Sequence, residues 1–323
     1  MNQKPWHHIH PSLILALCIS CSSGSQLLRD DESAVAVPCG LDVHMHVGSP
    51  AVQSGNTQFD AERARLSAAA AGLSRAWLIA SGYGAESEQK DVVRENDYVL
   101  DAATSDPGAL VAVVAVPIGA PWASSELTRA RLRGASVVKL HPVAAGTDLT
   151  STVGIASLEL IMAHAQAEGF TVLIHANFDD EQSAASVLEI ARRHQAHTVI
   201  LSHSFTRFHH LLRGVSDRHL FVDTSAVVAW PYFMSERKLV QTAAAAEFGH
   251  ALVKSWRSFG IERVLFGSDM PFMSPSEALH LLQFLPLTQN ERQQIVSFNA
   301  GALGVLGPSC KIEPSMKDSF NAQ

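Results

Sequence analysis

Leu41-Asp42-Val43-His44-Met45-His46-Val47 is the stretch on which the fold turns. Apolar and ionisable residues alternate in it, and a strand sends successive side chains to opposite faces. Asp42, His44 and His46 are therefore expected on one face, with Val43 and Met45 on the other. Working outward, seven further short apolar runs follow: Ala76–Ser81, Leu110–Pro117, Ser136–His141, Thr171–Ala176, Thr198–Ser202, Leu220–Ser225 and Arg263–Ser268. Longer Ala-rich amphipathic stretches lie between them, among them Asp60–Ala71, Leu158–Glu168, Glu181–His194 and Glu236–Phe259. Short apolar runs alternating with helical stretches indicate parallel strands joined by helical crossovers. Gly134, Gly169 and Gly260 each precede a strand, where the glycine that ends a helix belongs. Eight such units predict the α/β class: a closed (β/α)8 TIM barrel with an N-terminal leader and an extra C-terminal helix over Asn290–Leu306. A doubly wound open sheet would more often carry a Gly-rich phosphate loop after its first strand, and none is present.

The chain has 323 residues, 47% of them apolar, and a formal net charge of −7. One barrel of about 250 residues plus a leader fits that length. No Lys/Arg run stands out, which excludes nucleic acid and leaves a small molecule as the expected partner. Beyond the leader no segment approaches the roughly 18 apolar residues of a membrane span.

The division expected is a leader over 1–25, a solvated tether over 26–37, the barrel over 38–310 and a tail over 311–323. In the leader, Lys4 precedes the apolar run Leu13–Ile19, and Ser20-Cys21-Ser22-Ser23 follows, the pattern of a secretory signal. It resembles a bacterial lipoprotein signal in which Cys21 becomes the lipidated first residue and attaches the protein to a membrane. A plain signal peptide, or a cytoplasmic enzyme with an extended start, is the alternative. His7, His8 and His10 then play no part in a metal site. Cys18, Cys21, Cys39 and Cys310 do not form a zinc ribbon. Cys39 and Cys310 either pair or remain buried thiols.

The chemistry lies where the apolar runs stop. In barrels of this kind the catalytic groups sit at the C-terminal ends of the strands. Here those ends carry His44 and His46, Lys139 and His141, His175, His203, and Asp269. A His-x-His pair alone leaves metal ligation and ordinary hydrogen-bonded histidines equally open. Several buried ionisable groups converging at one end must satisfy one another, because an unpartnered one costs several kcal/mol. A divalent cation does that.

These motifs also resemble a known family. Asp42-x-His44-x-His46, Lys139-Leu140-His141-Pro142, His175, His203, Phe221-Val222-Asp223-Thr224-Ser225 and Phe266-Gly267-Ser268-Asp269-x-Pro271 look like the amidohydrolase superfamily. They are closest in kind to the amidohydrolase-related branch that includes aminocarboxymuconate-semialdehyde decarboxylase and lactonases. The resemblance spans roughly residues 39–306. It implies one divalent ion, zinc first, on His44, His46, His175 and Asp269, with water completing the shell. It implies Asp269 and His203 as the catalytic acid/base pair. Imidazole and carboxylate donors suit zinc, and a bound Zn²⁺ brings the pKa of its water to about 7. Lys139 is expected as an unmodified positive charge for a substrate carboxylate; the alternative is a carbamylated bridge between two metals. Asp42 is expected to orient the strand or its histidines rather than bind metal. His141, Arg207 and Trp230 are further substrate-binding candidates, with Pro231, Tyr232 and Phe233 extending an aromatic wall and Tyr83 and Phe272 of lower weight.

The function expected is hydrolysis of a small amide, ester or lactone. A decarboxylase of an unsaturated or aromatic acid is the alternative, and a non-catalytic metal-binding lipoprotein is a third reading. Decarboxylases of this branch often carry glycines after the strand-six histidine, where this chain has Ser204-Phe205-Thr206. An oligomer is compatible with all three.

Overall fold

The computed structural model describes residues 40–49, 60–228 and 243–303. Eight parallel strands follow one another round a single sheet: β1 (Leu41–Val47), β2 (Arg75–Ala80), β3 (Leu110–Ala115), β4 (Val137–Leu140), β5 (Thr171–His175), β6 (Val199–Ser202), β7 (Leu220–Asp223) and β8 (Val264–Leu265). The ring closes between β1 and the segment after β8. Val43 N–H donates to the Phe266 carbonyl at 2.9 Å, Asp269 N–H donates to the His44 carbonyl at 2.9 Å, and Met45 bridges Met270. This is the expected (β/α)8 barrel.

Among the described residues seven α-helices cover it: α1 (Ala61–Ala70), α2 (Gln89–Ser105), α3 (Ala123–Leu132), α4 (Thr152–Ala167), α5 (Glu181–Arg193), α6 (Ala243–Phe259) and α7 (Pro275–Gln283). A 3₁₀ stretch, His203–Leu212, takes the helical position after β6. Their starts follow from short polar side chains: Asp60, Ser151 and Asp180 each accept a hydrogen bond from a first-turn N–H, and Ser274 forms a capping box with Glu277. Gly134 and Gly169 take φ of +96° and +77°, the left-handed stop expected of them. The extra C-terminal helix is present but not uniform. It begins as α8 (Gln289–Gln293), widens to a π turn (Gln294–Phe298) and tightens to a 3₁₀ turn (Asn299–Leu303). The Asn299 side-chain amide ties it to the barrel floor by donating to the carbonyls of Ile261 and Val264, each at 2.7 Å.

Two apolar layers result. Leu41, Val43, Trp77, Ile79, Val113, Val137, Leu173, Ile200, Phe221 and Leu265 fill the barrel interior. A larger cluster, including Met45, Val47, Leu78, Val114, Val138 and Ile174, packs the strands against the helices. On β1 the alternation slips. The pairing with β2 shifts register between Asp42 and Met45, so Leu41 and Val43 face inward but Met45 and Val47 face outward. A bulge of this kind re-aims side chains by one position. His44 and His46 therefore share the interior face and Asp42 does not, which corrects the single face expected for all three.

Among the described residues no helix is long and apolar enough to cross a membrane. The leader over 1–25 with Cys21, the tether over 26–37, Cys39, Cys310, Trp230 to Phe233, the first part of the helix expected from Glu236, and the tail over 311–323 lie outside the described residues.

Candidate metal centre

The interior of the barrel changes character one step up each strand. Val137 is followed on its face by Lys139, Leu173 by His175, Ile200 by Ser202 and Phe221 by Asp223, because side chains recur on one face every second residue. Above the apolar plug sits a polar layer at the C-terminal end, the position of functional groups in such barrels. His44, Lys139, Ser202 and Asp223 in it are wholly buried.

Asp223 sets the state of His44. Its Oδ2 lies 2.8 Å from His44 Nδ1, and its Oδ1 accepts from the backbone N–H groups of His203 at 2.8 Å and Ser225 at 3.0 Å. Burial pushes this carboxyl upward, but His44, His203 and Ser225 outweigh it and hold it well below the usual carboxylate range. An ionised carboxylate only accepts, so the His44 proton sits on Nδ1 and Nε2 presents a lone pair. Burial first, and Lys139 second, lower the His44 pKa to about 3, which keeps that lone pair free. Nε2 faces His46 Nε2 at 3.2 Å and Asp269 Oδ1 at 3.4 Å. His46 Nδ1 lies 3.3 Å from the Tyr83 hydroxyl, which can accept its proton and leave Nε2 open. Asp269 is likewise held anionic: burial raises its pKa, and His46, His44 and His203 pull it down further than burial lifts it.

One ligand atom each from His44, His46 and Asp269 thus falls within 4.8 Å of the others, all three residues buried. Converging lone pairs and a negative charge repel unless a cation lies among them. This donor set fits a divalent ion, with the carboxylate–histidine pair Asp223–His44 as its outer support. Asp42 stands behind: its Oδ1 accepts from the backbone N–H of His44 and of Ser268, each at 3.0 Å, clasping the end of β1 to the segment after β8. Burial raises the Asp42 pKa to about 7.

His175 and His203 form a second facing pair. His203 Nδ1 lies 3.0 Å from the Ser225 carbonyl and His175 Nε2 lies 2.7 Å from the Asn177 carbonyl. Carbonyls accept only, so both protons are spoken for. His203 Nε2 and His175 Nδ1, 3.1 Å apart, then present lone pairs to each other. Burial lowers the pKa of both rings. His141 stacks on His175 with ring centroids 3.9 Å apart and planes 12° from parallel, and Tyr83 stacks on its other side. The His141 Nδ1 accepts from the Ala144 N–H at 3.1 Å, which leaves Nε2–H as a donor. Lys139 Nζ lies 3.4 Å from His44 Nε2 and 3.2 Å from Ser202 Oγ, and burial lowers its pKa to about 8.

The candidates meet the structure unevenly. His44, His46, Lys139, His141, His175, His203 and Asp269 are brought to one end of the barrel. Arg207 is not: it is exposed and paired with Asp179 at 2.8 Å, on the outside of the 3₁₀ stretch. Trp230 lies outside the described residues. Residues 203 to 206 carry positive φ without a glycine among them. The glycine-free sequence after His203 therefore does not prevent a left-handed turn. It is fastened by Ser204 Oγ–H donating to the Asp223 carbonyl at 2.6 Å, while the Trp256 indole N–H donates to that same hydroxyl at 3.1 Å. Asp223 and Ser225 had drawn no role from the sequence, although Asp223 ends an apolar strand like the others. Gly267 is a further hidden requirement, since a Cβ there would stand 2.9 Å from His44 Cβ. A cavity of about 210 Å³ opens at Asp269 between Ala226, Phe272 and Met273.

Solved structures share the fold at low identity. A candidate 2-pyrone-4,6-dicarboxylic acid hydrolase from Pseudomonas putida is 19% identical, with a TM-score of 0.61, covering 83% of this chain and 98% of its own. The 5-carboxyvanillate decarboxylase of Sphingomonas paucimobilis is 12% identical with a TM-score of 0.59, covering 82% and 98%. A dihydroxybenzoic acid decarboxylase from Polaromonas, with bound manganese, is 14% identical with a TM-score of 0.59, covering 82% and 96%. No curated protein matches the chain. A sequence model of the amidohydrolases matches residues 41–303, a span that takes in every strand described above, and the chain belongs to the amidohydrolase family.

Proposed function

We propose that the protein is a metal-dependent hydrolase of a small amide, ester or lactone, with Asp269 and His203 as its proton-handling groups. The observation that carries this reading is a pair of unprotonated bases at one barrel end: Asp269, held as the anion, and His203, whose proton is fixed on Nδ1. Hydrolysis needs a base that takes a proton from water and returns it to the leaving atom, and a second base for the proton that remains. When bound at His44, His46, His175 and Asp269, a divalent ion, zinc by donor type, would polarise the scissile carbonyl and bring a water's pKa toward about 7. Asp269 takes the proton of the attacking water at its carboxylate. The proton taken up by Asp269 passes to the leaving oxygen or nitrogen, and His203 Nε2, a lone pair, accepts the remaining proton of the attacking water. His141 Nε2–H is placed to hold a substrate oxygen, and Lys139 contributes positive charge beneath the site.

A second reading has its own observation. The facing lone pairs of His175 and His203, 3.1 Å apart, would be relieved by a second cation, with Lys139 modified to bridge the two. Metal analysis of the purified protein separates them: one ion per chain supports the first arrangement, and two support the second. Decarboxylation, the reaction named for two of the structural neighbours, is tested in parallel. Lactones, esters, amides and carboxylated aromatics would be screened with CO₂ release recorded. Hydrolysis products without CO₂ support the proposal, and CO₂ release from an aromatic acid overturns it. We further propose export, with Cys21 as the lipid-bearing residue. The protein should then fractionate with membranes, and Cys21→Ala should release it; a soluble cytoplasmic wild type refutes that.

A further inference from the structure

Helix α4 is patterned inside out. A barrel helix normally shows an apolar stripe to the sheet and polar residues to solvent. After Thr152, every exposed residue of α4 is apolar, the others being half-buried or buried: Val153, Ala156, Leu160, Ala163 and Ala167. Val153 and Leu160 are 74% and 72% exposed. Their spacing runs 3-4-3-4, the seam of two packed helices. This stripe is additional to the buried one, which Gly154, Leu158, Ile161, Met162 and Ala165 form against the barrel. Glu159 is the only Asp, Glu, Lys or Arg of the 16 residues, and it is already paired with Arg193 of α5. The surroundings match. Among the described residues seven large apolar side chains are exposed, and four of them, Leu132, Val143, Val153 and Leu160, fall on the stretch from the end of α3 to the middle of α4. The stripe on α4 itself puts exposed apolar side chains along one helix face, which marks an interaction site rather than ordinary surface.

We propose that this face is the interface of a two-fold homodimer, with α4 packed antiparallel on the α4 of a second copy. The order of side-chain sizes along the seam points to a like partner. A two-fold axis at Leu160 pairs residues whose numbers are symmetric about it. Val153 then meets the small Ala167 of the second copy, the two Leu160 side chains meet on the axis, and Ala156, whose symmetric position is His164, lies one residue out of register with the second copy's Ala163. The largest pair is confined to the axis, with alanines on either side of it, and one patch serves both copies, as an isologous contact demands. The uncharged seam carries nothing that would repel its own copy. Size agrees as well. A helix of 16 residues is about 24 Å long. With the flanks of α3 and α5, each roughly 9–10 Å away, the face measures roughly 700 Å², near the ~800 Å² per partner of a standard interface. This assembly is independent of the chemistry proposed above.

The test is sedimentation velocity on the full chain across micromolar concentrations. Wild type is expected as a dimer. Leu160→Glu and Val153→Glu should each halve the sedimenting mass, with unchanged circular dichroism and metal content. Leu66→Glu, at an exposed leucine on α1, should leave the dimer intact. In a background with the four cysteines replaced by serine, Leu160→Cys should give a disulfide-linked dimer under mild oxidation, since residue 160 meets its own copy. Leu66→Cys should not. A monomeric wild type overturns the proposal, whether the face is covered by another part of the chain or binds lipid vesicles. So does a dimer that survives Leu160→Glu.

Discussion

Asp223→Asn tests the wiring of the metal centre with the loss of one charge and almost no change of shape. Three donors converge on Oδ1 of Asp223: the N–H of His203, the N–H of Ser225 and the Ser225 hydroxyl. In the variant the amide oxygen must stay there, because an NH₂ would face all three. The amide nitrogen then takes the place of Oδ2, 2.8 Å from His44 Nδ1. That nitrogen only donates, so His44 must accept at Nδ1 and move its proton to Nε2. The proton now points into the space between His46 Nε2 and Asp269 Oδ1, where a cation would sit. The lost charge-assisted bond is worth about 1.5–3 kcal/mol. Removing such an outer partner of a metal-binding histidine typically lowers affinity by about 10–100-fold. Competition against a chromophoric chelator should therefore show Zn²⁺ or Mn²⁺ bound at least about tenfold more weakly than by wild type. Urea unfolding of the metal-free proteins reports separately on the fold. A variant that folds and binds metal within twofold of wild type would refute the tautomer assignment, and with it the role of Asp223.

Other perturbations read the remaining parts. Asp269→Asn removes both a ligand and the proposed base, so metal affinity should fall and turnover drop by about 10²–10⁴-fold; retained turnover removes it from the mechanism. His203→Gln should cost turnover in the same range while the group formed by His44, His46 and Asp269 still takes up metal, so equal losses of metal and activity would contradict its role. Gly267→Ala pushes a methyl toward the Cβ atoms of His44 and Ser225, at 2.9 and 3.3 Å, and should destabilise the protein by about 1–3 kcal/mol in urea unfolding. For pH dependence, His209 lies away from the metal centre, buried against Ser255, and burial with Arg213 nearby lowers its pKa to about 4. Between that value and the ordinary one near 6.5 the unfolded chain binds a proton that the folded chain does not. Stability contributed by keeping it neutral is thus present above about pH 6.5 and is lost as pH falls. His209→Gln should flatten the fall of metal-free stability between pH 7 and 5 by up to about one proton, or ~1.4 kcal/mol per pH unit; an unchanged slope contradicts this.

The barrel was legible because its signals are local. Eight apolar runs stop at polar residues, and glycines such as Gly134 and Gly169 mark where helices must turn left-handed before a strand. What escaped was local geometry that depends on neighbours far along the chain. The slip on β1 between Asp42 and Met45 belongs to its pairing with β2, which shifts register there. Strict alternation therefore misplaced Asp42 while placing His44 and His46 correctly relative to each other. The C-terminal helix was found, but not its change from α to π to 3₁₀. The left-handed turn after His203 was hidden as well. Its strain is balanced by Trp256, more than fifty residues on, donating to a serine hydroxyl that has no unusual look in the sequence.

For the metal centre, residue type located the ligands, and hydrogen-bond partners decided what they can do. A histidine at a strand end can donate or accept at either nitrogen, and nothing in the strand itself chooses. Asp223 chooses for His44, the Ser225 carbonyl for His203, the Asn177 carbonyl for His175 and the Ala144 N–H for His141. In three of these rings an acceptor takes the outer proton and turns the inner nitrogen into a base. In His141 a donor occupies one nitrogen and leaves the other as an acid. A sequence reading counts four similar imidazoles; the folded chain separates three electron-pair donors from one hydrogen-bond donor. That division is what would let one layer of histidines both hold a cation and, in the proposed reaction, orient a substrate oxygen. It also makes the outer partners, not the histidines alone, the residues on which the chemistry depends.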